Sequence, residues 1–346
     1  MKKCLTLLLL FSLLTGCGTH MIRQSKTVYA MDTVMTLTAY GDDSVQRGMY
    51  TLPEYALVNA EEQILRLEDR LSVSRTDSDI FQLNQNGYLT FASHPNDTTT
   101  LLETALEIAA MTDGDFDPTV YPLMELWGFP SKEYRVPDQA ELDALLSHVD
   151  YTQVKIQSGE ISLPQGCKLD LGGIAKGYTS EQALAVMEES GVESAIVSLG
   201  GNVGALGLKP DGTPWTVAIQ DPSGDSGYIA TLSLGEAGSK IYAITSGGYE
   251  RYFTQNGKVY HHILDPKTGA PADTDLLSVT IVSPSGTLAD ALSTALFVKG
   301  FQEAVAFWQE YHDQFEMVLV TGDGLFATDG LSITSEQPIQ PLEVSP

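Results

Sequence analysis

Three stretches of this 346-residue chain set ionisable and hydroxyl side chains at spacings that suit chemistry. In KLDLGGIAKGY, Asp170 sits on a short apolar run, Gly172 and Gly173 follow, and Lys176 comes three residues after the second glycine. A glycine turn that opens a helix offers free backbone N–H groups to an anion and lets a ligand approach the main chain closely. A lysine beside it could reach a phosphate oxygen, although the pattern is neither G-x-x-x-x-G-K-[ST] nor G-x-G-x-x-G. Plain strand-to-helix architecture explains such a turn equally well. In TLADALSTALFVKG, Asp290, Ser293 and Thr294 share one face of a helix. A single carboxylate with neutral hydroxyls is a poor cage for calcium but suits Mg²⁺, which completes its shell with water and substrate phosphates. Alternatively, Asp290 is a helix-start residue favoured by the dipole. In VYHHILDPKTGAP, His262 lies where a strand empties into a loop, and histidine is the side chain best placed to move a proton near neutral pH. His261 would point to the opposite face, and a structural, hydrogen-bonded role fits a strand histidine too.

Weaker candidates are the tight Asp115-Phe116-Asp117 loop, Met31-Asp32-Thr33 early in a strand, and the glycine-rich SLGGNVGALG. Nothing matches G-x-S-x-G, H-E-x-x-H or paired C-x-x-C.

The elements that must position these residues follow from periodicity. Residues 28–40 are β-branched and aromatic and predict one or two strands. Residues 52–70 predict an amphipathic helix with Leu57, Ile64, Leu67 and Leu71 on one side. LLETALEIAAMT predicts a second helix, broken by TDGDFDPTVYP, and PDQAELDALLSHV a third. Beyond Tyr151 come a hairpin through VKIQSGEISLPQGCKLDL, a strand ending at Leu171, and a helix from near Ala175 closed by Gly191. The strands ESAIVSLGG, WTVAIQDP, YIATLSLGE, KIYAITSGG and LLSVTIVSP are joined mostly by short turns, with Asn256-Gly257 turning a hairpin. A helix through SGTLADALSTALFVKG and a hairpin through FEMVLVTGDGLFATDG end the body. The expectation is α+β: a single large domain over 28–335 with mostly antiparallel sheets packed with helices, followed by a disordered tail at 336–346.

The first residues, MKKCLTLLLLFSLLTGC, put two lysines before an apolar run too short to span a membrane comfortably, which predicts a secretion signal. Residues 14–17 (LTGC) resemble a bacterial lipobox, implying removal of residues 1–16, acylation of Cys17, and residues 17–27 as a tether. The protein would then be lipid-anchored to the cell membrane, facing the extracytoplasmic side. Cys4 leaves with the signal and Cys17 is acylated, so Cys167 has no disulfide partner. Removing Lys2 and Lys3 with the signal takes the formal charge from −26 to −28, which argues against nucleic acid as a partner.

Taken together, AMDT, GDFDPTVYPLMELWGF, DLGGIAKGY, SLGGN, TSGGYERYF, HHILDPKTG and ADALSTALFV resemble, in order, the motifs of the FAD:protein FMN transferase (ApbE) family across about residues 28–330. The resemblance implies a T-fold-related domain and a Mg²⁺-dependent reaction. FAD is split, AMP is released, and FMN is attached through a phosphoester to a threonine or serine of a target redox protein. Subunits of sodium-pumping NADH:quinone oxidoreductase and related electron-transfer complexes are the family's usual targets. By the same resemblance Asp290, Thr294 and the Gly173 carbonyl are metal ligands with Ser293 nearby, and His262 is the catalytic base. Met31, Asp115, Phe116, Asp117, Asp170, Lys176 and Leu264 contact FAD. Two positions depart from the pattern: Gly248 stands where many members carry an aspartate (S-G-D-Y-E-R), and Ser74, beside Arg75, where an aromatic residue often faces the flavin. A more open site favours hydrolysis of FAD to FMN and AMP, the nearest competing activity; a non-catalytic flavin-binding lipoprotein is the other alternative.

Overall fold

Alternation along each strand decides which face of the main sheet takes the helices. In a computed structural model, the structure describes residues 20–93, 95–224 and 227–344. The signal peptide expected over residues 1–16 and Cys17 lie outside these residues. The chain opens with β1 (Met21–Ala30), β2 (Thr33–Asp42), β3 (Gln46–Arg47) and β4 (Tyr50–Thr51), then α1 (Leu52–Leu71), α2 (Asp79–Asn86), β5 (Tyr88–Thr90) and α3 (Asp97–Met111). α4 (Tyr121–Trp127), α5 (Gln139–Leu146), β6 (Lys155–Gln157), β7 (Glu160–Ser162) and α6 (Ala175–Glu189) lead to β8 (Ser194–Leu199), β9 (Asn202–Leu206), β10 (Trp215–Gln220), β11 (Tyr228–Leu234) and β12 (Lys240–Gly247). The last third holds β13 (Tyr252–Gln255), β14 (Lys258–His261), β15 (Leu276–Ser283), α7 (Gly286–Lys299), α8 (Phe301–Tyr311), β16 (Glu316–Thr321), β17 (Gly324–Thr328), β18 (Ile333–Thr334) and β19 (Ile339–Leu342).

Nine strands make one sheet in the order β1-β2-β8-β9-β12-β15-β16-β17-β19, antiparallel except for the β17–β19 pair. In β2, Met35, Leu37 and Ala39 are fully buried on one face, where they meet Ala56, Leu57, Ile64 and Leu67 of α1 and Leu184 and Met187 of α6. The opposite face carries Ala205, Ala243, Val282, Val318 and Val320 against Trp215, Val217, Ile219, Leu232 and Leu234 of the small β10-β11-β18 sheet. β15, with only Leu277 exposed, runs between both layers and is buried on each side. The expected single α+β domain with mostly antiparallel sheets is therefore what the chain forms.

Several expectations need correction. Met21–Thr27, expected as tether, is the outer part of β1 and pairs residue for residue with β2. An edge strand buries only alternate side chains, so polar residues suffice: Ser25 bonds Thr38 Oγ1 at 2.9 Å and Lys26 pairs with Glu61. Ile339–Leu342, expected in the disordered tail, adds a parallel edge strand with Leu342 buried; Pro341 is tolerated there because an edge needs fewer N–H donors. Residues 168–171 make a single bridge, Lys168 to Val120, rather than a strand. α4 arises inside TDGDFDPTVYP, expected only as a breaker, because a proline in the first turn starts a helix readily. α2 and α8 were not anticipated; α8 follows α7 after only Gly300, burying Ala304, Phe307 and Trp308 at helical spacing.

Candidate functional site

The site is organised by a very close crossing of α6 and α7. A Cβ on Gly177 would lie 2.1 Å from the Gly286 carbonyl oxygen and 2.6 Å from Asp290 Cβ, so only glycine permits the approach. At the crossing, Gly177 N–H donates to Asp290 Oδ2 at 2.8 Å. The same approach sets Gly173 beside Thr294: a Cβ there would stand 3.6 Å from Thr294 Oγ1 and 3.3 Å from the Phe116 ring. Ser293 Oγ donates to the Asp290 carbonyl at 2.8 Å and lies 2.8 Å from Ser246 Oγ, which is 3.3 Å from Thr294 Oγ1. The four sequence-predicted metal residues, Gly173, Asp290, Ser293 and Thr294, thus share one cluster with Ser246 of β12, although Gly173 is distant in the chain from the other three.

Asp290 is 3% exposed, and among the described residues no Lys or Arg nitrogen is within ion-pair distance of it. A buried carboxylate with a single hydrogen bond and no cation is poorly compensated. Its neighbours are all oxygen donors, and no cluster of three or more His, Cys, Asp or Glu occurs among the described residues. That donor set, one carboxylate with hydroxyls and a carbonyl, fits a hard cation that keeps part of its shell for water and phosphate.

Around this cluster stand the ionisable groups. Lys176 Nζ approaches the Gly172 carbonyl at 3.5 Å. Asp170 Oδ1 accepts from Gly172 N–H at 2.7 Å; burial pushes its pKa up, opposed by that hydrogen bond and by the charges of Arg251 and Lys176. His262 follows the last residue of β14, and its backbone N–H and Nδ1 both meet the Arg251 carbonyl, at 3.0 and 3.2 Å. Nδ1 is thereby assigned the proton, leaving Nε2 as the free base. Burial, reinforced by the charges of Arg251 and Lys176, pushes His262 down to about 3, so the ring is neutral at physiological pH. The Phe129 ring meets it edge-on at 6.4 Å, whereas His261 packs edge-on against Phe297 at 5.5 Å, so the two histidines diverge as expected.

The remaining predicted residues play supporting parts. Asp115 is ion-paired with Lys299 and, at 2.9 Å, with Lys267, joining its loop to the end of α7 and to the turn after His262. Asp117 accepts from Thr119 N–H and Oγ1 and from Tyr151 N–H, while burial pushes its pKa up. With both carboxylates so engaged, Phe116 is the member of that loop that reaches the cluster. Leu264 is buried in a satellite core with Trp127 and Phe129. Met31 and Asp32 form the β1–β2 turn with φ of +50° and +57°; Met31 N–H donates to Glu68 Oε1 at 2.8 Å and its Sδ lies 3.7 Å from Thr179 Oγ1 on α6. Ser74 is tied to Ser72, and Arg75 is paired with Asp69 at 2.8 Å and Glu68 at 3.7 Å. Gly248 packs beside His261, whose Nδ1 is buried without a hydrogen-bond partner.

Sequence reasoning missed Ser246, Glu250 and Arg251. All three lie in TSGGYERYF, a motif read for the aspartate it lacks, when its arginine and glutamate already signalled charge beside a glycine turn.

The model of the ApbE family matches residues 31–319. A curated FAD:protein FMN transferase of Treponema pallidum is 37% identical over 257 residues, 70% of each chain, and one of Klebsiella pneumoniae is 32% identical over 302 residues, 86% of this chain and 90% of that one. Among solved structures, the ApbE protein of Thermotoga maritima superposes with a TM-score of 0.77 at 31% identity, covering 91% of this chain and 97% of that one. The flavin transferase ApbE of Vibrio cholerae does so at 0.77 and 26% identity, covering 90% and 98%.

Proposed function

The chain belongs to the ApbE family, and from that premise we propose that it is a Mg²⁺-dependent FAD:protein FMN transferase. The observation that carries the proposal is Asp290: a buried carboxylate without a cationic partner among the described residues, held against the start of α6 beside Gly173 and Thr294. Asp290, Thr294 and the Gly173 carbonyl would hold Mg²⁺, with Ser293 behind them. Bound there, such an ion would neutralise charge on the pyrophosphate.

The protein's own groups supply the rest. Lys176 meets a phosphate oxygen, and the glycine turn lets the nucleotide reach the main chain. Met31, Asp170, Leu264 and the Phe116 loop bound the FAD site. His262 Nε2 takes the proton from the acceptor threonine or serine hydroxyl, whose oxygen bonds to the phosphorus of the FMN half. The phosphorus–oxygen bond to the adenylate half breaks, and AMP leaves with the electron pair. A neutral imidazole accepts that proton without first having to lose one.

The leader with its LTGC sequence supports a lipid anchor at Cys17 on the extracytoplasmic side of the cell membrane, where subunits of sodium-pumping NADH:quinone oxidoreductase or related electron-transfer complexes are the targets proposed. The test supplies residues 18–346 with FAD, Mg²⁺ and a peptide carrying a threonine. The proposal expects AMP and a fluorescent peptide, both abolished by EDTA. AMP with a dark peptide would instead establish the FAD pyrophosphatase, a reading favoured by Ser74 at the position where relatives often carry an aromatic ring. FAD binding without AMP release would leave a flavin-binding lipoprotein.

A further inference from the structure

A cavity of about 340 Å³ is lined by Gly200, Gly201, Gln220, Tyr249 and Glu250, to none of which the proposed reaction assigns a role. Its walls come from the two-residue turn between β8 and β9, the last residue of β10, and the turn after β12. The turn is bare backbone. Gly200 and Gly201 have φ of +58° and +93°, and a Cβ would strike Thr33 Oγ1 at 2.5 Å in the first case and stand 3.4 Å from Glu250 Oε1 in the second. Glu250 therefore hangs over exposed main chain.

The cavity is tied to the reacting groups through Glu250. Glu250 lies within electrostatic reach of Lys176 and Asp290, at the α6–α7 crossing, and the next residue, Arg251, holds His262 through its carbonyl. An incoming hydroxyl has to meet both of those places.

We infer that this cavity receives the extended segment of the acceptor protein that carries the hydroxyl, gripping it mainly by its backbone. The inference rests on the transferase reading above. Gln220 presents an amide that both donates and accepts, Glu250 presents acceptor oxygens for peptide N–H groups, and the glycine turn lets a second main chain come close. The Tyr249 ring supplies an apolar wall. A volume at the lower end of ligand pockets suits a narrow strand of a few residues.

The test is Gln220→Trp, which fills the cavity from an exposed position at the end of β10 where the new ring disturbs no core. The full chain in detergent is given FAD, Mg²⁺ and short peptides with one central threonine among glycine and alanine. Expected are unchanged FAD binding, unchanged AMP release without peptide, and a peptide KM raised by about tenfold or more. An unchanged KM overturns the proposal, and so does weakened FAD binding, which would make the cavity part of the flavin site. Should the unsubstituted protein release no AMP and label nothing, the transferase reading fails by itself. The cavity is then judged by a photocrosslinking residue at position 220: capture of the peptide supports it as a peptide site, and no capture overturns it.

Discussion

At Asp290 the demands of packing and of chemistry meet in one carboxylate, which caps the start of α6 through Gly177 N–H and is proposed to hold a cation with its remaining lone pairs. Asp290→Asn keeps the size and the amide-facing oxygen but removes the charge. Turnover should fall by several kcal/mol of transition-state stabilisation, on the order of 10³-fold, while the circular dichroism spectrum stays that of the parent. Retained activity in this variant would remove Asp290 from the metal site. His262 makes a different prediction because its environment holds it neutral. His262→Gln should lower kcat on the order of 10²- to 10⁴-fold with little change in FAD affinity. Its pKa, pushed down to about 3 from an ordinary value of 6.5, also has a sign in stability: the unfolded chain binds the proton first, so stability is full above pH 6.5 and is lost as pH falls toward 3. Denaturant titrations at pH 7 and pH 5 should therefore show a smaller acid loss in His262→Gln than in the parent, and equal losses would contradict the burial of the ring.

At the scale of elements, the crossing of α6 and α7 is the device that assembles the site, and Gly177 is what allows it. Gly177→Ala puts a methyl group 2.1 Å from the Gly286 oxygen, so it should destabilise by about 1–3 kcal/mol or more and weaken FAD binding together with turnover. A stable Gly177→Ala protein with full activity would show that the helices can separate without consequence. Much of this architecture was legible in the residues. Apolar periodicity gave α1, α3, α5, α6 and α7, and Asn256-Gly257, with φ of +53° and +78°, turns the β13–β14 hairpin as its composition predicts. What stayed hidden has physical causes. β1 and β19 are edge strands whose few buried side chains leave no apolar alternation, and α4 is started by a proline that in isolation signals a break. The candidate residues Asp170, Lys176, His262 and Asp290 were named from their motifs, and the structure places them around the α6–α7 crossing and the end of β14. Its geometry was not: no spacing in the chain announces that Gly173 lies beside Thr294, or that the Arg251 carbonyl selects the tautomer of His262.

For the whole molecule, a formal charge of −26 has to be reconciled with binding a dinucleotide that is itself an anion. The reconciliation is local. Lys176 and Arg251 stand at the site, and the cation proposed for Asp290 would add two positive charges where the pyrophosphate lies, while the acidic exterior favours solubility and repels nucleic acid. Acidity also bears on the proposed membrane location, since an anionic body is not drawn to anionic lipid by charge and would need another hold. β1 begins at Met21, only a few positions after Cys17, so an acyl chain on that cysteine would keep the domain close to the membrane surface. One chain alone binds a membrane weakly and reversibly, whereas the several chains of a lipoprotein anchor hold it firmly. Cys17→Ser should accordingly move the protein from the membrane fraction to the soluble fraction of its host without changing AMP release from FAD. Cys17 has no part in the proposed reaction, so the two readouts are separate. A variant that remains on the membrane would point to an uncleaved leader as the anchor, and one that loses activity in solution would tie the site to the lipid surface.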